Sequence, residues 1–301
     1  MSFASEAKAE LCRPKIERKC CAVAESYGVL LFCNTFSSEE IKVTTTSADF
    51  AERLQKLFNK AFGFGFDTVP KENASGRRSF IIKDTKKLDT IFSAYGIERG
   101  KTLAHHVNFG VIEEECCRVS FIRGAFLAGG TVTDPEKRYH LELATSHKSV
   151  ARETFSILLD INLSPKESSR GANTLLYFKQ SDAIADFLTT IGASTTAMNV
   201  ITAKVEKEMN NKITRRVNCD SANAEKTVTA AQEQIAAIRR FAGAYGLDAL
   251  PEPLKDAALL RVANPEASLA DLARLSFPEV SKSCLSHRLK KIAELAPGEE
   301  K

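Results

Sequence analysis

Apolar residues recur at helical spacing three times in each of two consecutive segments of about 100 residues. In both segments the pattern predicts an opening helix, alternating runs that are typical of strands, a second helix, a hairpin and a closing helix. The opening helices are predicted at 14–29 and 113–129, the first alternating runs at 40–44 and 139–143, and the hairpin turns within 63–79 and 164–174. The pattern therefore predicts an α-β-β-α-β-β-α unit that is present twice.

The two segments also resemble each other residue by residue. A Cys-Cys pair at 20–21 recurs at 116–117, and a glycine follows the second cysteine by seven positions at Gly28 and Gly124. The stretch RRSFIIKDTKKLDTIFSAYG in the first segment likewise matches ANTLLYFKQSDAIADFLTTIG in the second. Both matches have an offset of 96 residues, so a duplication explains them better than chance.

The last third of the chain has a purely helical pattern. We predict a linker and a long helix in 206–250, with the helix covering about 222–244 and ending before Gly246. The predicted fold class is therefore α+β, with two pseudo-symmetric lobes at 1–100 and 101–205 and an all-α domain at 251–301.

The all-α domain is predicted to be a helix-turn-helix. A first helix covers 252–263, a second begins after Ser268, and a third begins after Ser281. The connection 276–281 is longer than the usual three or four residues. A short capped helix, a turn and an amphipathic helix form the arrangement that such proteins place in the major groove of DNA.

The third helix of this predicted motif has an apolar face and a basic face. We expect Leu285, Leu289, Ile292 and Ala293 in the core. The candidate DNA-binding residues lie on the other sides: Lys282, Ser283, Ser286, His287, Arg288, Lys290 and Lys291. Basic side chains neutralise phosphates, whereas serine and histidine contact base edges. The alternative is the solvated surface of an ordinary helical bundle.

Two further features bear on nucleic-acid binding. Lys212, Arg215 and Arg216 form a second basic cluster and are additional candidate DNA contacts. The net charge of the whole chain is only +4, yet the segment from Lys282 to Lys291 has four basic residues and no acidic one. The positive charge is therefore concentrated on one predicted helix.

The sequence also predicts where the chain resides. It contains no apolar run long enough to cross a bilayer, and its first residues lack the pattern of a signal peptide. We expect a cytoplasmic, nucleoid-associated protein with no membrane partner.

The eight cysteines are expected to be thiols rather than ligands. They show no C-x-x-C spacing and no histidine at zinc spacing, and adjacent helix residues point to different faces. We therefore expect no metal site, no cofactor and no disulfide framework, but buried thiols in a reducing compartment.

The string FIRGAFLAGGTV at 121–132 resembles the signature helix of the LAGLIDADG homing endonucleases. In single-chain members two such helices pack along a pseudo-twofold axis, and each carries a catalytic acidic residue near its C-terminal end. The matching positions here hold Cys33 and Gly129, and Asp134 lies five residues too late, before a proline that favours a turn. We expect a nuclease fold without catalytic residues; the alternative is a metal-dependent endonuclease with unrecognised carboxylates.

Nearly the whole chain resembles the WhiA family of bacterial regulators. The most specific stretches are VNCDSANAEKTV from Val217, GLDALP from Gly246, NPEASL from Asn264 and SKSCLSHRL from Ser281. Arg215 and Cys284 depart from the family, which tends to have asparagine and glycine at these positions. Cys284 lies at the start of the predicted recognition helix, where it could alter how closely the backbone approaches DNA.

The resemblance implies a sequence-specific regulator of cell division, chromosome segregation and, in spore formers, sporulation genes. It implies double-stranded DNA as a partner of the helix-turn-helix. It also implies that the endonuclease-like domain is a regulatory or partner-binding platform, in some lineages for a WhiB-type regulator. A protein-interaction scaffold with incidental DNA contacts is a third hypothesis.

Overall fold

A computed structural model describes residues 2–70, 76–100 and 104–298. The chain divides into two compact units, Met1–Lys207 and Glu208–Lys301. Part of the first predicted hairpin turn, 71–75, lies outside the described residues. In the described part of the chain, no helix combines the length and the apolar character that crossing a bilayer requires.

The first unit contains two α/β lobes preceded by a short helix. Its helices are α1 (Phe3–Cys12), α2 (Lys19–Leu31), α3 (Ala48–Phe62), α4 (Thr85–Ala94), α5 (Glu115–Gly129), α6 (Lys148–Asp160) and α7 (Ser181–Ile191). Its strands are β1 (Thr35–Phe36), β2 (Ile41–Thr45), β3 (Arg78–Ile82), β4 (Gly130–Val132), β5 (Leu141–Thr145), β6 (Lys166–Arg170) and β7 (Asn173–Phe178). The second lobe follows the predicted order of elements in full, from α5 to α7. Helix α1, which Ser2 caps, is not predicted by the sequence pattern.

Each lobe has one antiparallel sheet, and the two sheets have the same strand order. The first lobe orders its strands β1-β2-β3, and the second orders them β4-β5-β7-β6. The first-lobe equivalent of β6 is reduced to a single bridge between Thr68 and Ile81. The duplicated fold class that the repeat predicts is therefore confirmed, with one shortened sheet edge.

Helices α2 and α5 pack against each other at two glycines. A Cβ atom on Gly28 would overlap the carbonyl oxygen of Phe121, and one on Gly124 would overlap the carbonyl oxygen of Glu25. The absence of side chains at these two positions lets the backbones of the two lobes approach closely. The two helices therefore pack along each other, as the resemblance to single-chain LAGLIDADG proteins implies.

A 52-residue helix, α8 (Ser194–Tyr245), follows the second lobe. The prediction of a linker with a helix starting near residue 222 is therefore wrong. No glycine or proline interrupts residues 194–242. Most side chains of 206–230 are exposed, so this part of the helix packs against no core and has no apolar stripe from which the sequence pattern could predict it. The carboxylate of Glu10 in α1 accepts the backbone N–H groups of Thr195 at 2.7 Å and Thr196 at 2.9 Å, which caps the helix start.

The second unit ends in three helices, α9 (Glu252–Ala263), α10 (Leu269–Leu275) and α11 (Lys282–Leu295). The predicted bounds of the first and the predicted starts of the other two are confirmed. Their core also includes residues from the end of α8, and its buried members include Ile238, Phe241, Leu254, Ala258, Leu272, Leu285, Leu289 and Ile292. Burial of these apolar side chains holds α11 against α9 and α10.

Candidate nucleic-acid interface

Local hydrogen bonds fix where the helices of the helix-turn-helix begin. The side-chain oxygens of Ser268 and Ser281 each accept the backbone N–H three residues further on, at 3.3 and 3.2 Å. These are N-caps of α10 and α11. The buried Arg261 donates from Nη1 to the carbonyl oxygen of Ala267 at 2.7 Å, which ties the end of α9 to the turn that follows it.

Helix α11 has the two faces that its sequence predicts. Leu285, Leu289 and Ile292 are buried against the other helices. Ala293 is exposed, so its predicted core position is wrong. Successive residues of an α-helix are about 100° apart around its axis, so Ala293 points away from the face that Ile292 packs against the other helices.

The candidate DNA-binding residues of α11 fall into an exposed and a half-buried group. The exposed ones are Lys282, Ser283, His287, Lys290 and Lys291, and the half-buried ones are Ser286 and Arg288. Arg288 lines a cavity of about 600 Å³ together with Leu285 and the connection between α10 and α11. Lys290 has an acidic neighbour, because its Nζ lies 3.9 Å from Glu294 Oε1 one turn further on. The exposed side of α11 thus combines three lysines with short polar side chains.

The connection before α11 is ordered by its own side chains. Ser276 donates from Oγ to the carbonyl oxygen of Ala273 at 2.7 Å, and the same Oγ accepts the N–H of Val280 at 3.1 Å. Phe277 in this connection is 99% exposed. The extra residues of the connection therefore form a defined turn that presents an aromatic ring to solvent.

Lys212, Arg215 and Arg216 lie on α8, in the stretch for which the sequence pattern predicts a linker. All three are exposed. Spacings of three and four residues bring side chains to the same side of a helix, so the three cations form one basic patch. They belong to the same compact unit as the helix-turn-helix.

The two positions that the resemblance matches to the endonuclease carboxylates offer no oxygen ligand for a metal ion. Gly129 is the last residue of α5, and a Cβ atom there would lie 2.6 Å from the carbonyl oxygen of Ala144. Cys33 follows α2, and its thiol donates to the carbonyl oxygens of Leu30 at 3.1 Å and Thr35 at 3.2 Å. Burial raises the pKa of Cys33 to about 12, so the group stays a neutral thiol.

Nearby carboxylates are engaged in structural contacts. Asp134 accepts the backbone N–H of Glu136 at 3.0 Å, as its predicted turn position requires. Glu142 on β5 accepts hydrogen bonds from Arg170, at 3.1 Å, and from His140. In 2–70, 76–100 and 104–298, no three carboxylates or histidines converge as metal ligands.

Four cysteines that show no metal-ligand spacing in the sequence converge in the structure, where the sequence predicts no metal site. The Sγ atoms of Cys20, Cys21, Cys116 and Cys117 all lie within 4.8 Å of one another. The expectation that adjacent cysteines point away from each other is wrong, because all four lie in first turns of two closely packed helices. The expectation of buried thiols is confirmed for Cys117 and wrong for Cys20 and Cys219, which are exposed, whereas the other five cysteines are half-buried. The shared offset of 96 residues is the signal in the sequence that points to the cluster.

These features define a class of protein in which a two-lobed LAGLIDADG-like domain precedes a helix-turn-helix domain. Sequence models agree with that class. The model of the WhiA LAGLIDADG-like domain matches residues 118–210, and the model of the WhiA C-terminal helix-turn-helix domain matches residues 213–296.

Similar proteins cover almost the entire chain. It is 36% identical to a probable cell division protein WhiA of Ruminiclostridium cellulolyticum, over 98% of this chain and 97% of the relative. A protein of the same name from Desulfitobacterium hafniense is 35% identical, over 98% and 96% of the two chains. The crystal structure of full-length WhiA from Thermatoga maritima covers 98% of both chains with a TM-score of 0.61 and 25% identity. The chain belongs to the WhiA family.

Proposed function

We propose that this protein is a sequence-specific DNA-binding transcription regulator that acts through α11. The observation that carries the proposal is the exposed face of α11, on which Lys282, Lys290 and Lys291 surround Ser283 and His287. A helix of this kind, capped and supported by a second helix, is the element that a helix-turn-helix inserts into the major groove.

The side chains of α11 divide into two roles. The three exposed lysines neutralise phosphates and give affinity that depends on salt but little on sequence. Ser283 and His287 carry hydrogen-bonding groups that read base edges, and Ser286 and Arg288 adjoin them at the rim of the motif. Lys212, Arg215 and Arg216 on α8 add a second set of phosphate contacts.

The two lobes are proposed to have lost cleavage and to act as a regulatory platform. A divalent metal that activates water needs oxygen ligands, and the relevant positions hold Cys33 and the crowded Gly129. A fold retained without its ligands is available for protein contacts. The proposed partner is a WhiB-type regulator, which the family resemblance implies for some lineages, or another protein.

The names of the relatives support the proposed biological role. Those with 35–36% identity are named probable cell division proteins. We infer control of genes for cell division and chromosome segregation and, where the organism forms spores, of sporulation genes, with the protein bound to the nucleoid.

Chromatin immunoprecipitation of the full-length protein tests the proposal. The wild-type protein should occupy discrete promoters near cell-division genes, and Ser283→Ala/His287→Ala should abolish these peaks. Removal of a base-reading side chain weakens specific binding by about 1–3 kcal/mol. Lys56→Ala/Lys60→Ala on α3 is the control and should leave the map unchanged. An identical map for wild type and the α11 variant would contradict a base-reading role for this helix.

A further inference from the structure

The four-cysteine cluster lies at equivalent positions of the two lobes. Cys20 and Cys21 are the second and third residues of α2, and Cys116 and Cys117 are the second and third residues of α5. Their Sγ atoms all lie within 4.8 Å of one another, and those of Cys116 and Cys117 are 4.0 Å apart. Two sulfur atoms from each lobe therefore meet at one point.

This arrangement suits a single tetrahedral metal ion. Zinc–sulfur bonds of about 2.3 Å place the sulfur atoms of a four-thiolate site about 3.8 Å apart. The sulfur atoms here need to approach by about 1 Å or less to reach that geometry. A disulfide would need a separation of about 2.0 Å and would use only two of the four. Thiolate donors select zinc over the hard cations that carboxylates bind.

The surroundings supply positive charge for a site with four thiolates and a net charge of −2. The guanidinium of Arg18 donates to Cys116 Sγ at 3.9 Å. Neither α2 nor α5 has a side-chain cap at its N-terminus, and the positive ends of both helix dipoles lie at the turns that carry the cysteines. Arg18 and the two helix dipoles therefore reduce the cost of placing negative charge on the sulfur atoms.

One side of the cysteine cluster faces solvent, and the other side is buried in the protein. Cys21, Cys116 and Arg18 line an open cavity of about 520 Å³. Cys20 is exposed, whereas Cys117 is buried. A metal ion can enter from the cavity and contact a ligand that the core holds in place.

We propose that Cys20, Cys21, Cys116 and Cys117 bind one zinc ion that joins the N-terminal ends of α2 and α5. The site lies at the opposite ends of these helices from Cys33 and Gly129, so it is separate from the positions of the missing nuclease ligands. Its role is to fasten the two lobes, each of which supplies two ligands. This inference does not depend on DNA binding.

Metal analysis of the full-length protein, purified under reducing conditions without chelator, tests the proposal. Wild type should contain one zinc ion per chain, and its cobalt-substituted form should show the visible absorption of tetrahedral thiolate-bound Co²⁺. Cys20→Ser, at an exposed position, should weaken zinc binding about tenfold or more in competition with a chromophoric chelator. Cys219→Ser/Cys284→Ser removes two thiols outside the cluster and should bind zinc like wild type.

Two results would overturn the zinc site. One is a wild-type protein that takes up neither zinc nor cobalt while all its thiols are reduced. The other is a Cys20–Cys117 or Cys21–Cys116 disulfide in protein isolated from cells with rapid thiol trapping. Circular dichroism checks that each variant is folded. If a variant does not fold, the cobalt spectrum of the wild-type protein still shows whether the four cysteines bind a metal ion.

Discussion

Gly28 and Gly124 are counterparts in the two lobes, and each lies against the backbone of the other's helix. Gly28 of α2 faces the Phe121 carbonyl of α5, and Gly124 of α5 faces the Glu25 carbonyl of α2. The contact is reciprocal because Phe121 is the counterpart of Glu25 at the same offset of 96 residues, as expected for duplicated helices that pack near a pseudo-twofold axis. Glycine is required here for close approach and not for a left-handed conformation.

Alanine at either of these glycines should destabilise the protein. The added methyl group overlaps a backbone carbonyl that cannot move independently, so we expect Gly28→Ala and Gly124→Ala to lower the free energy of unfolding by about 1–3 kcal/mol each. Gly243→Ala in the last turn of α8 is the control, because its added Cβ would meet no atom within 4 Å apart from the adjacent backbone of its own helix. That variant should gain about 0.5–1 kcal/mol. Chemical denaturation measures the free energy of unfolding of all three variants. Equal changes in the three would contradict the close approach of the α2 and α5 backbones.

The buried ion pair between α2 and α3 gives a second prediction. Arg53 Nε lies 2.5 Å from Glu25 Oε1, and both side chains are almost fully buried. Arg53→Met leaves the Glu25 carboxylate buried with only the more distant Arg123, at 3.5 Å, and should cost about 3–5 kcal/mol. Adding Glu25→Met should recover much of that stability.

An exposed pair on the same helix provides the control for the buried one. Lys56 and Glu52 are 2.6 Å apart, with side chains 69% and 70% exposed. Lys56→Met should therefore cost less than about 1 kcal/mol. A destabilisation by Arg53→Met as small as that by Lys56→Met would contradict the importance of burial.

The cap that Glu10 provides to α8 should depend on pH. Burial alone would raise the pKa of Glu10, but hydrogen bonds from Thr196 and Thr195 outweigh it and hold the pKa below its ordinary value of 4.5. The stabilisation is therefore fully present above pH 4.5 and disappears as the pH falls through the lower folded-state pKa.

Variants of α1 measure this contribution. Glu10→Ala should lower the free energy of unfolding by about 1 kcal/mol at pH 7. The difference from wild type should shrink below pH 4.5. Glu6→Ala, an exposed carboxylate in the same helix, should have a smaller effect. A destabilisation by Glu10→Ala that stays constant from neutral to acidic pH would argue against a charge-dependent cap.

DNA cleavage should be absent with magnesium or manganese. Gly129→Asp should not restore it, because the Ala144 carbonyl and the Phe32 ring occupy the space that the new side chain needs. Incubation of long DNA with wild type and Gly129→Asp, followed by gel analysis, checks this. Reproducible double-strand breaks that Asp134→Ala abolishes would establish the nuclease hypothesis instead.

Local periodicity is enough to predict the duplicated lobes and the helix-turn-helix. Every third or fourth residue of α11 on one side is apolar, so Leu285, Leu289 and Ile292 can be assigned to the core from sequence alone. The start of each helix after Ser268 and Ser281 is equally predictable, because N-caps are local features.

Contacts between distant segments are not predictable in the same way. The first half of α8 has no apolar stripe, and its cap comes from Glu10, 184 residues before Ser194 in the chain. The cysteine cluster depends on α2 meeting α5 at Gly28 and Gly124, which only the packed structure reveals. Rules that identify metal sites from ligand spacing consider one segment of chain at a time, and they therefore miss this cysteine cluster.

The most direct test of the central claim is the salt dependence of binding to a promoter fragment recovered by chromatin immunoprecipitation. Fluorescence anisotropy of wild type and Lys282→Ala/Lys290→Ala/Lys291→Ala should give plots of log affinity against log salt whose slopes differ by about 2.7, because each phosphate that a lysine neutralises contributes about 0.9 to the slope. Lys56→Ala/Lys60→Ala/Lys86→Ala removes the same charge from α3 and α4 and should keep the wild-type slope. Equal slopes for wild type and the α11 variant would contradict DNA binding through α11.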